Sequence, residues 1–486
     1  MSIFSSKFVH AIRTFSEDEL KAFDQWLHSP WCNSNKNLAK LLNKLKKYYP
    51  DFDYPKLTKE KLFKQILPTG KFSDRRMNNL LSEGYLAAQQ FMIFNSLTTN
   101  ENLQKDLLTQ AFQNRHLEDW FFRDIQKEID RLDNKSIKDW EDHLDLLRLH
   151  RRIYHHPNQS PRMQPGGQTI VQMGEQLDLV YLLEKAAIIN EKIFRNRILK
   201  DENHEIKQEL AVWLMASEGV EHLAIEFYKM RFAYEEETML EQYFELRDAF
   251  LGRYEELNEK EQKIHLMSLF NDNAFLYRSD LVEISDSLPL YKIGLKTKLI
   301  LHQGVLGFSS FRTIVTASNY MKSFNYTDQF IKTYITHLKK EYQHDALNWA
   351  KAHTLYWQQN LYASLDILIK NEFKILNLQL FCRTLATQVY FDLYLKDDSY
   401  YSYLFDYFNA FEKWIIREKI GSDFYKESFL KFVRICKSLA RLYSQINFQP
   451  QKVDSLFKNE NNVQAMKWLY KKRTEIIKIR KKGVSL

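Results

Sequence analysis

Residues able to do chemistry are sparse in this chain. Glu341-Tyr342-Gln343-His344 is its one Glu-x-x-His, a spacing that turns a carboxylate and an imidazole onto one helix face, as the ligands of a di-iron bundle require. Such a bundle needs the motif twice plus two further Glu on facing helices, and among 62 acids and 14 His one copy is expected by chance. His155 and His156 are adjacent and so point apart, no Cys is near, and Asp142 and Asp145 lie well back along the chain, which makes a poor ligand set. His353 falls inside an apolar stripe, where a core imidazole is the ordinary outcome. The phosphate loops G-x-G-x-x-G and G-x-x-x-x-G-K-[ST], the nucleophile elbow G-x-S-x-G and the zinc motif H-E-x-x-H are all missing. No catalytic residue, no metal and no cofactor is therefore expected, and the chain reads as a binding protein, not an enzyme.

Charge offers a second kind of chemistry. From Lys467 to Lys482 the chain has eight Lys or Arg and one acid, Glu475, a net +7 of the formal +8 of the whole chain. Lys471, Lys472, Arg473, Lys478, Arg480, Lys481 and Lys482 are the candidates for a nucleic-acid contact, because clustered cations neutralise phosphates. Lys36, Lys40, Lys44, Lys46 and Lys47 on short N-terminal helices suit the same alternative, a nucleic-acid-associated regulator. Exposed aromatics that would stack bases are not interleaved with the tail's cations, so the tail reads first as a capping helix with a solvated basic side. A loop over 156–167 holds Pro157, Pro161, Pro165, Gly166 and Gly167, and Arg148, His150, Arg151 and Arg152 before it form a rim that an anion could approach.

The elements that must position these residues are helices. Ala346, Trp349, Ala350, His353 and Trp357 recur at 0, 3, 4, 7 and 11, one stripe on one helix face. Leu361, Leu365, Leu368 and Ile369 follow after only Gln358-Gln359-Asn360, so these two helices must run antiparallel in contact. Leu378, Phe381, Cys382, Leu385 and Val389 repeat the first spacing, and Phe429, Phe432, Val433, Cys436, Leu439, Ala440 and Tyr443 make the cleanest stripe of all. A helix with one apolar stripe cannot bury it alone, so consecutive stripes must pack on each other. Near the N-terminus Ser16 and Glu19 have the spacing of a capping box for a helix over 17–28, which Ser29-Pro30 should stop. Residues 271–286 and 294–307 are less regular.

The stripes also repeat. Ala317, Ala352 and Ala386 fall in register at offsets of 35 and 34, with Tyr320, Leu355 and Val389 three positions on, and Asn325 falls on Asn360. A small residue where two helices cross and bulky ones a turn later, at this period, resembles the tetratricopeptide repeat over about 310–395. The Gly beside the crossing and the Pro closing each unit are absent from all three copies. More loosely, residues 1–450 resemble bacterial helical-repeat proteins, a likeness that brings no activity with it. The resemblance implies an α-solenoid of antiparallel helix pairs that binds a protein or peptide on its concave face. By register the groove would be lined by Trp349, His353 and Tyr356 in one unit and by Arg383, Thr387 and Tyr390 in the next.

Composition agrees with an all-α chain. Twelve Gly and nine Pro in 486 residues leave few turns for short strands, and a solenoid adds core repeat by repeat, so this length needs no division into separate globular domains. Residues 1–99 read as a compact helical cap, 100–460 as the repeats, and 461–486 as a basic helix and tail. Cys32, Cys382 and Cys436 lie far apart and read as reduced thiols. With no signal-like or membrane-length apolar run, the expected location is the cytoplasm.

Overall fold

Ser16 opens the second helix as its spacing predicts. Its Oγ accepts the Glu19 N–H at 3.1 Å, and the Glu19 carboxylate accepts the Ser16 N–H at 2.8 Å. Two donors that the helix start would leave unpaired are thereby satisfied. The computed structural model describes residues 3–52, 57–157, 167–196, 205–237, 240–421, 423–458, 460 and 462–481. Among them are 23 α-helices and a single two-residue hairpin. No helix among the described residues is long and apolar enough to cross a membrane.

The chain forms two compact units, Met1–Asn134 and Lys135–Leu486. The first holds α1 (Lys7–Arg13), α2 (Glu17–His28), α3 (Lys36–Leu45), α4 (Lys59–Ile66), α5 (Asp74–Thr99), α6 (Glu101–Asn114) and α7 (Glu118–Asp133). α5 is its spine, with α1 to α4 all packed on it. Phe8, Phe15, Phe23 and Phe91 meet there, Phe23 and Phe91 with ring centroids 5.1 Å apart. Gly84 lets α1 come close, since a Cβ at that position would lie 3.2 Å from the Phe8 ring. The unit ends after Asn134, not after residue 99 as the sequence suggests. The reason is local: α5 passes into α6 through Asn100 alone, and α6 packs on both α5 and α7. On α3, Lys36 and Lys40 are exposed, and beyond it Lys46 pairs with Asp24 at 2.9 Å, the pattern of a solvated face.

The second unit begins with α8 (Trp140–Tyr154), α9 (Gln168–Phe194), α10 (Lys207–Ala216), α11 (Leu223–Glu237), α12 (Leu240–Arg253), α13 (Glu259–Arg278) and α14 (Leu288–Lys296). Of the predicted loop over 156–167, residues 158–166 with Pro161, Pro165 and Gly166 lie outside the described residues. The segment read as irregular, 294–307, holds the hairpin Leu301–His302 with Val305–Leu306. Its turn has positive φ at both Gln303 (51°) and Gly304 (79°), the geometry that matches strand twist and that Gly adopts without strain.

Then follow α15 (Phe308–Tyr320), α16 (Phe324–Tyr334), α17 (Lys340–Trp357), α18 (Leu361–Lys370), α19 (Leu376–Tyr394), α20 (Tyr401–Arg417), α21 (Asp423–Ser444), α22 (Pro450–Ser455) and α23 (Met466–Lys481). Each packs on its successor from α15 to α21, and α15 also touches α17, and α17 touches α19. Ala317, Ala352 and Ala386, the residues in register, are all buried in α15, α17 and α19. The turn Gln358-Gln359-Asn360 works through Gln359, whose φ of 64° lets the Asn360 N–H reach back to the Leu355 carbonyl at 2.9 Å. Asp345, buried in α17, accepts the N–H groups of Lys374 (2.7 Å) and Ile375 (2.9 Å) and so fixes the start of α19. The α21 stripe is buried along its whole length. Three apolar clusters succeed one another along the unit, around 182–290, 288–393 and 380–476. The basic end is no free tail, for α23 packs on α21 and α22 and contributes Leu469 and Ile476 to the last cluster.

Candidate functional site

Of the six groove-lining residues read from the repeat register, four are buried and Arg383 and Tyr390 are half-buried. Trp349 is 3% exposed, His353 9%, Tyr356 7% and Thr387 0%. The Arg383 guanidinium lies 4.6 Å from the Trp414 ring centroid, and the Tyr390 and Tyr407 rings are 5.0 Å apart, so both face α20. The four buried side chains are cement between helices. Spacing identifies a helix face, but the way neighbouring helices cross decides which face is covered.

A charged side chain without an acid lies elsewhere on the same helices. Arg312 on α15 and Phe381 on α19 each stand five residues before the repeat's alanine, Ala317 and Ala386. The Arg312 guanidinium carbon sits 4.1 Å from the Phe381 ring centroid, face contact between a cation and a π system. Around it are Tyr277 from α13, Tyr291 from α14 and Tyr425 from α21, close enough for their hydroxyls to bear on its charge. All five side chains are half-buried, so they wall a recess that opens to solvent. Burial pushes the guanidinium below its ordinary pKa, and no carboxylate offsets that shift. Among the described residues the guanidinium has neither an ion pair nor a hydrogen bond. Glu283, whose charge reaches Tyr277, is held by Lys467 at 3.2 Å.

His353 lies near enough to Arg312 to feel its charge. Burial, and next the Arg312 charge, hold its pKa down to about 3. The hydrogen bonding agrees, since Asn319 Nδ2 lies 2.9 Å from its Nδ1 and Trp357 Nε1 lies 3.3 Å from its Nε2. A neutral ring can accept from one of these donors and a charged ring from neither. His353 is thus a neutral core imidazole near neutral pH.

Beside the recess the same helices hold α23. Trp468 packs edge-on to Phe391 at 5.6 Å and lies 6.0 Å from Phe432, and its Nε1–H donates to the Tyr356 hydroxyl at 2.8 Å. Tyr356 in turn donates to the buried Asp392 at 2.8 Å. Lys472, 6% exposed, pairs with that carboxylate and with Glu475 at 2.7 Å. Burial alone would push the Lys472 ammonium down; the two carboxylates raise it above its ordinary pKa. Arg473 pairs with Asp454, and Arg480 donates to the Gln445 and Ile446 carbonyls while lying over Tyr443. Three of the seven cations read as a nucleic-acid stripe are thus engaged within the chain. Lys471, over the Trp357 ring, and Lys478 and Lys481 remain exposed, and Lys482 lies outside the described residues.

A second polar group gathers where α8, α9, α11 and α13 meet. His143 and His222 have rings 5.9 Å apart, Tyr228 and His265 4.6 Å, and His265 Nε2 approaches Glu261 Oε2 at 3.4 Å. Burial lowers the pKa of both His143 and His222 and raises that of Glu184 beside Glu261. Among the described residues no three His, Cys, Asp or Glu are placed to hold a metal ion. Glu341 of the Glu-x-x-His is exposed, and His344 meets Asp345 at 3.3 Å and Asn348.

The sequence reading missed Arg312. The available signal was a charged residue at a repeat position that in the third copy is the large apolar Phe381. No family model, curated protein or solved structure matches the chain.

Proposed function

We propose that the second unit is a helical-repeat scaffold, built of tetratricopeptide-like antiparallel pairs, that binds a protein or peptide partner without catalysis. The receiving surface in this reading is the concave face shared by α13, α15, α17, α19 and α21. One observation supports it: α17, α19 and α21 already seat a helix, α23, through an aromatic anchor, Trp468, and one buried polar network, while Arg312 nearby is half-buried and has no acid. Aromatic and Arg anchors set in pockets are where binding energy concentrates in protein interfaces, and a groove that holds one amphipathic helix has the pocket spacing to take another segment.

The test is site-specific photocrosslinking of the intact protein in its own cells. A photoreactive phenylalanine at Phe381 or at Tyr425 should give a discrete adduct with one recurring polypeptide. The same group at Trp31, which is 96% exposed in the first unit, should not give that adduct. Adducts absent at both recess positions, or identical at Trp31, would end this reading.

A further inference from the structure

Most cations removed from water in this unit are answered by acids of the chain, and Arg383, which has none, donates to the Tyr407 hydroxyl beside the Trp414 ring. Lys472 has Asp392 and Glu475, Lys467 has Asp280 and Glu283, and Arg231, buried in α11, has Asp272 at 3.3 Å. Arg312 has the Phe381 ring and nearby tyrosines, with neither an acid nor a hydrogen bond to its guanidinium among the described residues. An uncompensated charge taken from water works against folding, so its retention calls for an anion that the chain itself does not provide.

The geometry narrows the anion. Phe381 covers one face of the guanidinium, and stacking leaves the N–H edge free to donate in its own plane. That edge is a fork of parallel donors, the match for two oxygens of one planar group. The recess supplies one positive charge, because Lys467 at its Tyr277 side is already neutralised by two acids. A carboxylate balances one charge. A phosphate monoester, at about −1.5 to −2, would leave a surplus among tyrosine rings. Those rings in turn suit an apolar stem behind the acid.

We infer that the Arg312 recess binds a carboxylate carried on an apolar or aromatic stem, held by both oxygens on the guanidinium edge and flanked by Tyr277, Tyr291 and Tyr425. The site deepens the scaffold reading and rests on it, the carboxylate being the group by which a partner segment is anchored.

The probes are benzoate, inorganic phosphate and benzamide, titrated calorimetrically into the intact protein. Benzoate should bind, with phosphate and benzamide at least tenfold weaker. Arg312→Met should weaken benzoate at least tenfold, since bonds to a charged group are the strong ones, yet melt no lower than the parent chain. Arg312→Lys keeps charge and stem but loses the fork, so it should lie between the two, and it carries the test if the Met variant fails to fold. Benzoate binding that survives both substitutions, phosphate binding as well as benzoate, or no binding of any probe would overturn the site. Benzoate binding lost in Arg312→Met, together with no crosslinked polypeptide at Phe381 or Tyr425, would keep the carboxylate site and remove the scaffold reading. A polypeptide crosslinked there whose capture is unchanged in Arg312→Met would do the reverse.

Discussion

Lys472 and Arg312 are two cations withdrawn from water in one unit, and the fold treats them oppositely. Lys472 is deeply buried and has two carboxylates, one of them also bonded to Tyr356. Arg312 is half-buried and stacked on Phe381, with no acid at all. Lys472 therefore belongs to the framework: it docks α23, and its partners are lost if the helix leaves. Arg312 joins α15 to α19 only through its stack on Phe381, and no acid of the chain takes up its charge.

The contrast can be broken most sharply at Lys472. Lys472→Met would leave Asp392 buried with a single hydroxyl donor, and removing one partner of a buried pair costs about 3–5 kcal/mol. Urea unfolding should show that loss, and the double change Lys472→Met with Asp392→Leu should recover much of it. An equal loss in single and double variants would mean that the network is not what docks α23.

Asp345 is the anionic counterpart, a buried carboxylate satisfied by two backbone N–H groups more than by any cation. Asp345→Ala should cost about 2–3 kcal/mol in the same measurement, with faster amide exchange at Lys374 and Ile375 as its local sign.

His353 sharpens the comparison through pH. Its folded pKa of about 3 lies below the unfolded value of about 6.5, so the unfolded chain takes up a proton first as pH falls. Its share of stability is full above about pH 6.5 and drains away toward pH 3, at about 1.4 kcal/mol per pH unit. His353→Gln should flatten the acid limb of a stability profile by that slope, while His143 and His222, also lowered by burial, maintain the rest. A profile of unchanged slope would place a charged imidazole beside Arg312 and contradict the recess as described.

The smallest effect is expected at Arg312 itself. Arg312→Met should change stability by less than about 1 kcal/mol, and in the stabilising direction if anything, because it removes an unpaired charge. A loss as large as that of Lys472→Met would make the two cations alike.

Much of the local structure was legible beforehand. Ser16 and Glu19 specify their capping box by themselves, because both partners lie within one turn. The stripe from Phe429 to Tyr443 identifies its buried face, since an apolar period of 3.6 has only one way to leave water. The register of Ala317, Ala352 and Ala386 correctly marked buried positions on three helices that pack in succession. It failed for Trp349, His353, Tyr356 and Thr387, because being aromatic or polar at a repeat position does not say whether the next helix covers it. The end of the chain failed for a related reason: eight cations in a row of sequence do not reveal that Asp392, Asp454 and two carbonyls wait for three of them.

What the sequence determined by itself is the helical character of the chain, the capped start of α2 and the inward stripe of the best-patterned helices. Those follow from interactions within a few residues and from the cost of leaving a stripe wet. Which cations are answered and which is left over was decided only by tertiary structure, because it depends on side chains from α13, α14, α15, α19 and α21 arriving at one place, and no spacing along the chain encodes that meeting.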